Sequence, residues 1–248
     1  LETNSFPALD YYKKRISRLI PPLFLMVMLT CCVMTLTHSR QMIGIREQIL
    51  SIFLGYNNWW QIAQDASYFS RLTGASPFTH LWFLGVEMQF YLIWPLLFYL
   101  YKKIYRLPGR KRACFFFLIP AFLSLAAMIC LYHPGSDPSR VYYGTDTMGF
   151  TLFLGMFLGA LRHNYPVLCT PVSRKRQLPV FAGMFGITLL LFLLVKGSNS
   201  FLYLGGMFLI SVFFAVMILF TENQRTLAQE LPLASQTALL GKYSYNIY

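Results

Sequence analysis

Acidic residues are scarce in this chain of 248 amino acids: nine Asp and Glu stand against 21 Lys and Arg, and charged residues of both signs make up only 12%. Soluble domains carry about 25% charged residues, so a water-facing globule of this size lacks the polar surface to cover itself. Paired cysteines are missing as well. Cys31, Cys32, Cys114, Cys130 and Cys169 are odd in number, show no CxxC spacing and lie, four of the five, inside apolar runs. They read as small residues of membrane helices and not as a disulfide framework. The four histidines, His38, His80, His133 and His163, have no partners at metal-ligand spacing, so no metal site is expected. An initiating Met and the basic and apolar regions of a signal peptide are absent before Leu1, and Tyr243 to Tyr248 reads as a helix just begun. The expectation is a single domain over residues 1–248, cut from a longer protein at both ends.

What is abundant is apolar: 56% of the residues are hydrophobic and 17% aromatic. They fall in blocks separated by basic clusters, as helices crossing about 30 Å of hydrocarbon do. Six blocks are long enough, or nearly so, to span: Leu19 to Thr37, Leu81 to Tyr101, Ala113 to Tyr132, Thr147 to Leu161, Leu178 to Val195 and Phe201 to Thr221. The fourth is short. Ile49 to Trp60 is shorter still, is broken by Asn57 and Asn58, and reads as re-entrant or interfacial. The fold class is therefore all-α, a polytopic transmembrane helix bundle in the cell membrane, with membrane lipid as its first partner. If Ile49 to Trp60 does not cross, only Arg40, Arg46, Arg71, Arg140 and Lys196 fall on one side and the other sixteen Lys and Arg on the opposite side. By the positive-inside rule that makes the richer side cytoplasmic. The charge of +12 is thereby explained without a nucleic-acid partner, since no continuous basic face exists.

Among the acidic residues only Glu87 lies inside an expected span, where an ionised carboxylate is costly unless paired or hydrated. At helical spacing His80, Leu84, Glu87, Tyr91 and Trp94 share a face, which offers an acid/base pair at the outer membrane surface. The alternative is a neutral Glu87 bonded to a neighbouring helix beside an ordinary interfacial His80. Arg15 and Arg18, spaced i, i+3 before Pro21 and Pro22, either clamp phosphates of a donor on the cytoplasmic side or act as a topology signal that binds anionic headgroups. Thr145 and Asp146 stand at the mouth of the fourth span, as a polar site or as its N-cap.

In combination these segments resemble the membrane domain of acyltransferase family 3, in particular the membrane half of peptidoglycan O-acetyltransferases. Tyr11 to Pro22 resembles the family's basic RxxR segment, and Gly55 to Trp60 its Asn-Trp stretch. His80 to Pro95 resembles the hallmark HxWSLxxEEQFYLxWP, Ser139 to Thr147 the SRVYYGTDTR segment, and Gly241 to Tyr248 the start of the last helices. The resemblance implies transfer of an acyl group, acetyl above all, from cytoplasmic acyl-CoA to a hydroxyl of an extracytoplasmic cell-envelope glycan, with no bound cofactor. It implies Glu87, His80 and Tyr91 as the catalytic group and Arg15, Arg18, Trp82, Gln89, Tyr143 and Asp146 as substrate-binding residues. Phe83, Met88 and Met148 stand where the family usually has Ser, a second Glu and Arg, and the family's His-bearing first helix would lie upstream of Leu1. The excerpt alone is therefore expected to be inactive. Two rival readings remain: a transporter or flippase whose path is lined by Glu87 and Gln89, and a family member without catalysis that serves export or assembly.

Overall fold

The structure is a computed structural model that describes residues 7–37, 44–69, 76–107, 110–166 and 173–223. The Gly241 to Tyr248 motif, Cys169 and parts of the segment between His38 and His80 lie outside the described residues. No strand occurs among the described residues. Five helical stretches are long and apolar enough to cross a membrane: Ala8–Leu36, Thr79–Tyr105, Lys111–Leu131, Lys175–Leu194 and Leu202–Glu222. The protein is a multi-pass membrane protein, as the uninterrupted apolar runs require.

Helix α1 (Ala8–Leu36) begins well before the expected Leu19 and runs through Pro21 and Pro22. Each proline withholds an N–H from the carbonyl four residues earlier, so the carbonyls of Ser17 and Arg18 lose their helical donors without the helix ending. Two short helices follow, α2 (Ile45–Phe53) and α3 (Asn57–Ala63). Together they make the hairpin that the Ile49 to Trp60 stretch becomes, and neither limb is long enough to span. The turn depends on Gly55, at φ +74°, where a Cβ would also come within 3.1 Å of the Met88 Cβ.

Helix α4 (Trp82–Tyr105) starts after a 3₁₀ turn at Thr79–Leu81. A 3₁₀ stretch, Arg110–Phe117, leads into α5 (Leu118–Leu131). The short helices α6 (Ser139–Tyr143) and α7 (Thr145–Met148) precede α8 (Phe150–Asn164). At 15 residues, α8 is the expected fourth span that falls short of crossing length, and it packs centrally against α5 and α10. Helix α9 (Arg174–Leu194) and, after a kinked turn at Leu202–Gly206, α10 (Met207–Asn223) complete the bundle.

Two clusters of buried side chains mark the bundle's ends. One gathers Trp82 and Val86 of α4, Met128 and Tyr132, Val141, Tyr143, Met148 and Phe150, and Tyr203. The other gathers Tyr101, Ala113, Cys114, Phe117 and Ala160. The end of α4, the start of the 3₁₀ stretch and the end of α8 thus lie at one end, and the α6–α7 segment and the start of α10 at the other. Many other large apolar side chains, Phe24, Leu92, Phe122 and Phe192 among them, are exposed, which is the pattern of a surface solvated by lipid.

Candidate functional site

Helix α1 packs antiparallel to α4, and their contacts fix the register between them. The Tyr12 hydroxyl donates to the Leu92 carbonyl at 2.8 Å, and the Arg15 guanidinium lies 4.8 Å from the centre of the Tyr91 ring. Leu23, Val27 and Met34 then pack alongside Phe78 and Leu81. Helix α4 continues from Leu92 to Tyr105, about 20 Å at 1.5 Å per residue. Arg15 and Arg18 consequently lie part-way along α4, within the helix that spans, and not on the cytoplasmic surface in front of it as the sequence suggested. The prolines were the misleading signal, because they read as a helix entry.

This register brings four of the expected site residues together. A cavity of about 180 Å³ is lined by Arg15, Arg18, Leu19, Glu87 and Tyr91. An adjoining one of about 260 Å³ shares Arg15, Leu19 and Tyr91 and extends to Tyr12, Gly55, Met88 and Gln89. The Tyr91 hydroxyl donates to Glu87 Oε1, so one turn of α4 presents a carboxylate with its orienting phenol. Arg15 covers the face of that phenol ring, where a cation is favoured. Arg15 and Arg18, both exposed, border the same half-open space as Glu87.

His80 does not join this group. It sits exposed in the 3₁₀ turn ahead of α4 and lines neither cavity. Trp94 also turns away, with its ring stacked 6.4 Å from Phe117.

Gln89 has both ends of its amide engaged. Its Nε2 donates to the Gly55 carbonyl at 2.9 Å and to Asn58 Oδ1 at 3.0 Å. Its Oε1 accepts from Thr145 Oγ1 at 2.6 Å and from Trp59 Nε1 at 3.4 Å. Asn58 Nδ2 in turn donates to Thr145 Oγ1 at 2.8 Å and to the Tyr143 carbonyl at 3.0 Å. Asn58, Thr145 and Gln89 therefore close a ring of hydrogen bonds that ties α3 and α7 to α4. Gly85 permits the approach, since a Cβ there would stand 2.9 Å from Asn58 Oδ1.

Sequence reasoning read Asn57 and Asn58 as interrupting an apolar run and as part of the family's Asn-Trp stretch, and gave neither a bonding partner. Two amides in such a run are themselves the signal, because polar side chains at membrane depth occur where they are bonded.

On the outer side of this ring Arg140 meets Asp146 through two nitrogens, at 3.2 and 2.9 Å, with its guanidinium 5.3 Å from the Trp59 ring centre. Neither Thr145 nor Asp146 caps a helix: Gly144 occupies the N-cap of α7 and no side chain bonds there. The N-cap alternative is thereby overturned. Tyr143 is fully buried, edge-on to Trp82 and Tyr68. Burial, with a smaller push from Tyr68 and Asp137, raises its phenol well above the ordinary range. Asp137 binds the Ser67 hydroxyl and, at 2.8 Å, the Ser139 N–H. Burial pushes its carboxyl up, but the hydrogen bonds from Ser139 and Ser67 together outweigh that and hold it below the usual value.

The three apolar departures from the family pattern are absorbed by packing. Met148 is in the core, Phe83 packs on it, and Met88 covers Gly55.

A bundle of membrane helices with a carboxylate, a phenol and two guanidiniums on one half-open cavity defines a class, the multi-pass membrane proteins that carry a polar site along their spanning helices. The comparison with known families is specific: the acyltransferase family 3 profile, described as an acyltransferase domain, matches residues 2–248, and the chain belongs to that family. It is 33% identical over 242 residues to the putative peptidoglycan O-acetyltransferase YrhL of Bacillus subtilis, covering 96% of this chain and 38% of that protein. It is 31% identical over 252 residues to the peptidoglycan O-acetyltransferase OatA of Listeria monocytogenes, covering 100% of this chain and 40% of the relative. A putative O-acetyltransferase of Staphylococcus aureus is 28% identical over 249 residues, 100% of this chain and 41% of that protein. The chain thus spans about two fifths of the length of these curated relatives. No solved structure matches it.

Proposed function

We propose that this chain is the membrane part of an O-acyltransferase that takes an acetyl group from cytoplasmic acyl-CoA and delivers it to a hydroxyl of an extracytoplasmic glycan, peptidoglycan by analogy with the named relatives. The observation that carries the reading is the cavity shared by Arg15, Arg18, Glu87 and Tyr91. In this reading the guanidiniums hold donor phosphate, for which their fork geometry is suited. Glu87, oriented by the Tyr91 hydroxyl, receives or steers the proton of the reacting base. In the net reaction the acceptor hydroxyl gives up its proton, its oxygen bonds to the thioester carbonyl carbon, the C–S bond breaks, and the sulfur leaves as CoA thiol. His80 at the outer end of α4 and the Arg140–Asp146 pair beyond the Asn58–Thr145–Gln89 ring belong to the acceptor side. Membrane lipid is the solvent, and nucleic acid has no role.

The test is acyl transfer by the full-length protein carrying Glu87→Gln, normalised to its level in membranes. Gln keeps the shape and can still meet the Tyr91 hydroxyl but removes the charge and the base. Turnover is expected to fall by about 10² or more, the order of general acid/base contributions. Wild-type turnover would remove Glu87 from the chemistry.

A further inference from the structure

Toward the Tyr105 end of α4, farther along the face that carries Glu87, a cleft of about 450 Å³ opens between α4, the 3₁₀ stretch and α8, with Trp94, Tyr101, Phe117, Gly155, Gly159 and His163 on its walls. Gly155 and Gly159 are one helical turn apart. In membrane helices such a pair normally lets a second helix come close. Among the described residues, a Cβ at either glycine would meet nothing within 4 Å. Glycine is a poor helix residue, and two of them facing space that no described residue fills indicate that the space itself is used.

The volume limits what fits. One turn of α-helix with its side chains, about 10 Å across and 5.4 Å high, takes roughly 420 Å³, so the cleft holds about one turn's worth of volume and not a helix of several turns. A slender chain fits. From Trp94 to Tyr101 the cleft follows α4 for about 10 Å. Its polar lining is confined to the end at Tyr101 and His163, where the Tyr101 hydroxyl is already engaged by Asn164 Oδ1 at 3.1 Å.

That end is cationic. Asn164, next to His163, donates to the Lys111 carbonyl at 3.0 Å and so holds the basic start of the 3₁₀ stretch at the rim. Lys103, Arg106, Lys111 and Arg112 are exposed there. No Asp or Glu occurs between Trp94 and Ser136 or between Phe150 and Ser173. The nearby acid recorded at this end, Glu222, is held by Arg162 at 2.7 Å. Positive-inside topology accounts for the number of these cations but not for their gathering beside a preformed apolar slot.

We propose that the cleft binds one acyl chain of an anionic phospholipid from the leaflet on the cation-rich side, with the lipid phosphate at the rim formed by Lys111, Arg112 and His163. The chain lies against Trp94 and the two glycines, and the headgroup charge supplies selectivity over zwitterionic lipid. This is independent of the acyl-transfer reading, because none of these residues lines the Glu87 cavities and the measurement is of binding.

Trp94 is the reporter. The full-length protein is placed in nanodiscs containing phosphatidylglycerol or phosphatidylcholine brominated at mid-chain, and the Trp94 component of the fluorescence is isolated by subtracting the Trp94→Phe variant. The expected result is a preference of about tenfold for brominated phosphatidylglycerol, roughly the effect of one or two engaged cations. Lys111→Gln with Arg112→Gln should abolish the preference but leave Trp94 quenched. Gly159→Leu, which introduces no clash at Cβ, should relieve the quenching by either lipid, and Gly155→Leu should do the same if the first variant is poorly folded. Equal quenching of the wild type by both lipids means bulk lipid only and overturns the proposal. So does undiminished quenching in both leucine variants. Absence of quenching by either lipid means that protein fills the cleft, which also overturns it.

Discussion

Two guanidiniums, a carboxylate and a phenol meet on one turn of contact between α1 and α4, and each constrains the others. Tyr91 lies under Arg15 and bonds to Glu87, so the aromatic ring is both platform and tether. The Glu87–Tyr91 pairing was legible, since i, i+4 residues meet on a helix and Glu87 is the sole acid in an expected span. The position of the arginines was not, because helix continuation through Pro21 and Pro22 depends on packing along α1 that local propensity does not encode. If Arg15 and Arg18 each make a charge-assisted contact with donor phosphate, losing one costs about 1.5 to 3 kcal/mol. Replacing both with Gln in the full-length protein should weaken binding of a non-hydrolysable acyl-CoA analogue by roughly a hundredfold or more, on the scale of 1.4 kcal/mol per tenfold, while acceptor binding changes little. Equilibrium binding to the correctly inserted double variant decides this. Unchanged affinity returns the pair to the role of a topology or headgroup signal.

The α2–α3 hairpin owes its place to polar contacts more than to apolar ones. Its length and its Asn and Trp residues announced a non-spanning element, and the structure makes it one. Hidden from sequence was the partner of Asn58, because Thr145 lies 87 residues away and no periodicity links the two. A ring in which Asn58, Thr145 and Gln89 each donate to the next should behave as a unit. Thr145→Val and Gln89→Leu are each expected to destabilise the protein by about 1 to 3 kcal/mol, the penalty for leaving a buried partner unmet. The double variant should lose less than the sum, with a coupling of at least about 0.5 kcal/mol. Thermal unfolding in a membrane mimetic measures all three, and strict additivity would show that the three side chains do not act together.

At the scale of the bundle, the alternation of ends follows from the two buried clusters, and the distribution of Lys and Arg selects which end faces the cytoplasm. Cysteines placed at positions 106 and 71 of the full-length protein should therefore be, respectively, protected from and labelled by a membrane-impermeant reagent in intact cells. The reverse pattern would invert the topology. The five long helices were readable because apolar length is a local property. The shortness of α8 was readable too, but its central position was not, since that reflects what surrounds it. The depth of the arginine pair has one more consequence. An anion drawn from the cytoplasm to Arg15 and Arg18 moves through part of the transmembrane electric field, and a unit charge crossing all of it exchanges about 2.3 kcal/mol per 100 mV. If Arg15 and Arg18 hold the donor as proposed, that field, with the cell interior negative, pulls an anionic donor outward toward them, so an energised membrane should strengthen donor binding and a depolarised one weaken it.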